Sequence, residues 1–229
     1  MQSLWRDAQI RRVVNACVTL GVAIGVVGVT FGVSAIAAGA SIWQACAMSL
    51  FVFTGASQLS SVSVLASGGS ALAAYGGAAV LAARNAVYGL AMAPHLSGPL
   101  GGRLMAAHLT IDESTAMAAV QSDPRHRRIA FWITGLSVLA FWNIGTLVGA
   151  IIGQLVNLKS FGLDAAFPAA FVAMIWPLMK ERRPRHAAIV GAVVCLVLIP
   201  LTPVGVPILC ASVGIAAGVP APRPDEVAA

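Results

Sequence analysis

Charge is what this chain has least of. Only 10% of its 229 residues are Asp, Glu, Lys or Arg, against about 25% in a soluble domain. Meanwhile 59% are apolar and a further 23 are glycine. So few charged side chains cannot coat a water-soluble globule of this size. The composition excludes an ordinary cytosolic enzyme and a disordered chain. Cysteine is also sparse: Cys17, Cys46, Cys195 and Cys210 form no CxxC pair. They read as small apolar packing residues, so neither a disulfide framework nor a zinc site is expected. HExxH, GxSxG and P-loop motifs are absent, and the four histidines are scattered, so no enzyme chemistry is indicated.

What remains is long apolar sequence. No Asp, Glu, Lys, Arg or His occurs in residues 13–83. As helix that stretch would be roughly 100 Å long, more than three crossings of a ~30 Å hydrocarbon core. Charge is also missing from 129–158, 165–179 and 187–222. The small, polar breaks Gly39-Ala40-Ser41 and Ser67-Gly68-Gly69-Ser70 divide the first stretch. The expected fold class is an all-α polytopic membrane bundle of about seven spans, some broken near the midplane. The spans fall at 13–37, 43–66, 71–93, 104–121, 129–156, 165–179 and 187–201. A piece at 204–219, interrupted by proline, either crosses or re-enters. One transmembrane domain covers 1–219, and 220–229 is a short polar tail.

The net charge of +6 does not indicate nucleic acid, because the cations sit in short loops between apolar runs. Arg6, Arg11 and Arg12 form one cluster. Arg125, Arg127 and Arg128 form another, and Lys180, Arg182, Arg183 and Arg185 a third. Four expected spans separate the first two clusters and two separate the last two. Even numbers put all three on one side, the cytoplasm by the positive-inside rule. The expected topology is multi-pass, with a cytoplasmic N-terminus. Basic residues, an apolar run and Val33-Ser34-Ala35 imitate a signal peptide, but cleavage there would break the parity.

Gly21, Gly25, Gly28 and Gly32, and then Gly145, Gly149 and Gly153, recur at helical spacing. Such stripes let helix backbones approach closely within lipid. The second span contains GASQLSS, in which Gly55, Ser57 and Gln58 either open the helix beside a ligand or serve as interhelical glue. Asp112 and Glu113 fall at the centre of the expected fourth span, where carboxylates usually mark a pathway or a partner. Thr110-Ile111-Asp112-Glu113 also fits a capping box, so a half-helix would start there. His108 could share a proton with Asp112 in a continuous helix, or be a satisfied structural histidine. Arg84 either pairs with Asp112 or Glu113, or snorkels to the interface. Trp142-Asn143 lies mid-span, and Asn143 should face protein or a cavity. Asp164 reads as an N-cap.

Six stretches in this order resemble the AzlC family: FGVSAIAAG (31–39), MSLFVFTGASQ (48–58), ARNAVYGLAMAPHL (83–96), AAHLTIDEST (106–115), WNIGTLVGAIIG (142–153) and GLDAAFPAAF (162–171). This is the large subunit of bacterial branched-chain amino acid exporters, which implies the bacterial inner membrane as the location. The resemblance implies export of valine, leucine or isoleucine, with methionine as a further candidate, driven by the proton motive force. It also implies a small, separately encoded AzlD-like membrane partner, and calls for no cofactor. The expected substrate-binding set is Gly55, Ser57, Gln58, Asn85, Trp142 and Asn143, with Phe51, Phe53 and Trp142 lining the side-chain slot. The expected proton-coupling or ammonium-binding set is Asp112, Glu113, Arg84 and His108. A competing reading is a structural or regulatory subunit, or a channel, whose partner carries the substrate path.

Overall fold

The computed structural model describes residues 7–155, 172, 176, 178–203 and 206–218. Among these, regular structure is helical throughout. The expected span 165–179 lies mostly outside them, as do Asp164 and the tail 220–229.

Among the described residues, two helices are long and apolar enough to cross a membrane, α1 (Ala8–Ala37) and α7 (Pro124–Leu155). They run parallel, joined by the glycine stripes. Gly21 meets Ser137, Gly25 meets Phe141 and Gly28 meets Trp142, rising together along both helices. A Cβ on Gly28 would stand 2.8 Å from the Trp142 carbonyl oxygen. The seam thus depends on backbones too close for side chains. Phe31 stacks on Trp142 with ring centroids 5.8 Å apart. We call the end holding Asp7 and Pro124 the basic end, because Arg11, Arg12, Arg125, Arg127 and Arg128 lie there.

A third long helix, α4 (Ala71–Met92), ends in a 3-10 turn over Ala93–His95. His95 Nε2 lies 3.2 Å from Arg127 Nη1, so α4 finishes at the basic end. Its 22 residues span roughly 33 Å, so it begins at the far end, where α1 also finishes.

Two short helices connect α1 to α4: α2 (Ile42–Phe51) and α3 (Ala56–Ala66). Both flanking points are at the far end, so this segment enters and returns. One hydrogen bond makes the turn explicit. Gln58 Nε2 donates to Met48 O at 2.8 Å, whereas ten residues of a through-going helix would separate them by about 15 Å. The second pair is α5 (Leu100–His108) and α6 (Asp112–Ala119). Arg127 touches His95 before this pair and donates to Gln121 O, 2.9 Å, after it. That segment also returns, to the basic end.

The expected crossings at 43–66 and 104–121 are therefore two re-entrant hairpins that enter from opposite ends. The correction has a plain cause. An apolar run interrupted by a break has the same hydropathy whether the chain continues or turns back. The parity of the first two basic clusters is unaffected, because two long helices, α1 and α4, now separate them instead of four spans. Residues 42–92 and 100–155 share one plan in opposite directions: a hairpin whose second arm packs on the following long helix. Even the breaks correspond. Gly55 N–H donates to Gln58 Oε1 and Ile111 N–H to Ser114 Oγ, each at 3.1 Å.

Toward the C-terminus, α8 (Arg182–Leu198) is met by α9 (Val206–Ala211) and α10 (Gly214–Gly218), which fold back on it. Gly214 lies against Ala187 and Gly191, and Gly218 against Ala187. The expected piece 204–219 thus returns along α8. Leu209 reaches Gly76 and Ile208 reaches Gly77, which seats this pair beside α4.

Candidate functional site

The hairpin tips meet halfway along α1 and α7. The Phe53 and His108 rings lie 5.7 Å apart. Between the tips is a narrow cavity, with about 50 Å³ open to the centre of a water molecule. The first tip contributes Phe53, Thr54, Gly55 and Ala56, and the second Ile111, Asp112 and Glu113. Ile24 and Val27 of α1, and Val138 and Trp142 of α7, make the wall behind them, with Leu59 beside. Arg84 of α4 completes it.

The local chemistry explains each tip. Gly55 has φ +59° and ψ −86°, a conformation only glycine adopts without strain. It lets the chain turn directly into α3. At the second tip Ile111 is the N-cap and has no side-chain oxygen to offer. Ser114 closes the turn instead: it accepts from Ile111 N–H and donates to Leu109 O at 2.6 Å. The expected capping box is therefore displaced by one residue. Thr110 is not the cap, since its hydroxyl donates to Ala106 O at 2.7 Å. The half-helix does begin at Asp112, as the sequence suggests.

Arg84 Nη2 and Asp112 Oδ2 form an ion pair of 2.7 Å. Arg84 Nε and Asp112 Oδ1 are buried there without partners. The snorkelling alternative for Arg84 is thus replaced by a pair at the cavity wall. The helical register that would join His108 to Asp112 does not exist, because α5 ends at His108 and α6 starts at Asp112. His108 packs on Phe53 instead.

The other expected residues divide. Gly55, Trp142, Asp112, Glu113 and Arg84 all line the cavity. Gln58 is 0% exposed and spends its amide tying α3 to α2. Ser57 is buried behind the tip with an unpartnered hydroxyl. Neither is among the lining residues, so the polar face of this tip is Thr54–Ala56. Asn143 Nδ2 donates to Leu139 O at 2.8 Å, one turn back, and neither it nor Asn85 lines the cavity. Phe53 forms part of the wall, whereas Phe51 is 77% exposed. Sequence reading missed Thr54 and Ala56, and the apolar lining from Ile24, Val27, Leu59, Ile111 and Val138. Thr54 adjoins Gly55 and could have been found from it, while apolar residues of α1 carry no distinguishing signal.

Comparison with known proteins gives this arrangement a family. The pattern described as AzlC protein matches residues 19–156, more than half of the chain, including both hairpins and all three long helices in large part. The chain belongs to the AzlC family. Two relatives from Helicobacter pylori, in strains 26695 and J99, are each described as "Uncharacterized membrane protein". They are 26% and 25% identical over 187 residues, covering 79% of this chain and 82% of each relative. No solved structure matches. AzlC membership and these relatives make the chain a membrane protein with a transport-related role.

Proposed function

We propose that this AzlC-family protein exports branched-chain amino acids from the bacterial cytoplasm, coupled to the proton motive force and working with a small AzlD-like membrane subunit. The observation that carries the reading is the cavity at the joined hairpin tips. It combines an apolar wall with one ion pair, the division an aliphatic amino acid presents. Val27, Phe53, Val138 and Trp142 offer a dry slot for an isopropyl or isobutyl group. Arg84 faces the carboxylate, and Asp112 or Glu113 faces the ammonium or exchanges it for a proton. An apolar pocket separates side chains differing by one methylene by only about 1–3 kcal/mol, so valine, leucine and isoleucine should overlap as substrates.

The basic end then faces the cytoplasm, and each hairpin closes one side of the path. Antiport needs a group that binds cation and proton alternately, which a cavity carboxylate supplies. The test is efflux from cells preloaded with a leucine or valine dipeptide. Wild type should clear the released amino acid. Asp112→Asn and Glu113→Gln, inserted at normal levels, should lose most of that rate. Wild-type export by both variants overturns the carboxylate mechanism. Transport that follows the substrate gradient alone, indifferent to the proton gradient, favours a channel.

A further inference from the structure

Two half-helices start at this cavity and run away from it toward opposite ends of the molecule. Their positive ends therefore face one another. The first intrahelical bond of α3 is Leu59 N–H to Gly55 O, and that of α6 is Thr115 N–H to Ile111 O. The amides of residues 56–58 and 112–114 thus have no helical carbonyl to bond. Each end is equivalent to about half a positive charge. Trp142 supplies an independent sign of a ligand. It lines the cavity at 3% exposure, and its indole N–H has no partner. Arg84 adds its unpartnered Nε, and Thr54 an unpartnered hydroxyl. Against these donors stand the Glu113 carboxylate, which also lines the cavity, and the unpartnered Asp112 Oδ1, while Asp112 Oδ2 is already balanced by Arg84.

We infer that the site recognises its ligand by the carboxylate, held between the opposed ends of α3 and α6 with Arg84 and the Trp142 N–H, and that the amino group is dispensable. This rests on the proposed amino acid site and widens its ligand class to branched-chain 2-oxo acids. These keep the carboxylate and the aliphatic group and lack the ammonium.

The test is direct binding of radiolabelled leucine, and separately of radiolabelled 4-methyl-2-oxopentanoate, to the full-length protein in lipid nanodiscs. Unlabelled oxo acid and 3-methylbutylamine, which is leucine without its carboxylate, serve as competitors. The oxo acid should bind within about tenfold of leucine, and the amine should displace neither. Trp142→Phe, which keeps an aromatic side chain, though a smaller one, and removes the donor, should weaken the oxo acid by about fivefold, the size of one lost hydrogen bond. Displacement of leucine by the amine and not by the oxo acid overturns the inference, as does failure of the oxo acid to bind. Oxo acid binding without leucine binding leaves the carboxylate site standing and removes the amino acid reading alone.

Discussion

Arg84 and Asp112 meet at 2.7 Å with about a third of each side chain exposed. Water reaches the pair, so its Coulomb attraction is screened, but each partner also has a buried atom with nothing else to bond. Removing one partner alone leaves the other unsatisfied. Asp112→Asn or Arg84→Gln should each destabilise the detergent-solubilised protein by about 1–3 kcal/mol. The double variant should recover part of the loss in a thermal-unfolding cycle, and strict additivity would deny the coupling. Gly55→Ala belongs to the same scale. There is room for the methyl group, with nothing within 4 Å of its position. The loss is therefore conformational, about 1–3 kcal/mol from the positive φ, and a Tm unchanged by this substitution would mean the turn is built otherwise. The sequence already marked both residues, Arg84 as a charge in an apolar run and Gly55 as a break among polar neighbours. It also marked Gln58 and Asn143, which satisfy local carbonyls. Residue type announces a polar group that needs a partner but not whether that partner is a ligand or the next turn of helix.

Among the helices, the glycine stripes of α1 and α7 were readable from spacing alone, because close helix packing has a periodic signature. Gly28→Leu should push α1 from α7, since even a Cβ there meets the Trp142 backbone. A fall of 1–3 kcal/mol or more is expected, with loss of folded yield. Gly89→Ala is the matched control: nothing lies near its Cβ, so it should leave Tm unchanged or raise it slightly. Equal effects from the two would contradict the packing. The helix caps at the basic end respond to pH. Asp123 accepts from His126 N–H at 2.9 Å, and Asp7 accepts from Gln9 N–H at 2.8 Å. Each bond holds its carboxylate below the ordinary range. A depressed folded value means this stability is present above the unfolded value, near pH 4, and is lost as pH falls through the folded value. Asp7→Asn with Asp123→Asn should flatten that part of the acid-unfolding profile, and an unaltered profile would contradict the capping role.

For the molecule as a whole, the helical membrane class was legible, and so was an even number of long helices between the first two basic clusters, because both follow from counting charges along the chain. The direction taken after each break was not. It is decided by single contacts between distant residues: Gln58 with Met48, and Arg127 with His95 and Gln121. Those contacts turn two expected crossings into opposed hairpins and bring Gly55 and Asp112 to one cavity. The same opposition suits alternating access, in which one hairpin opens while the other stays closed. Everything proposed about transport depends on it. The most direct measurement is cysteine accessibility in intact cells, with Cys17, Cys46, Cys195 and Cys210 replaced and a single probe cysteine introduced. Ser67, after α3, and Ser97, before α5, are both exposed. With the basic end in the cytoplasm, Ser67→Cys should react with a membrane-impermeant maleimide from outside, and Ser97→Cys only after permeabilisation. Through-going spans require the reverse pattern, and finding it would contradict the hairpins and the cavity they form.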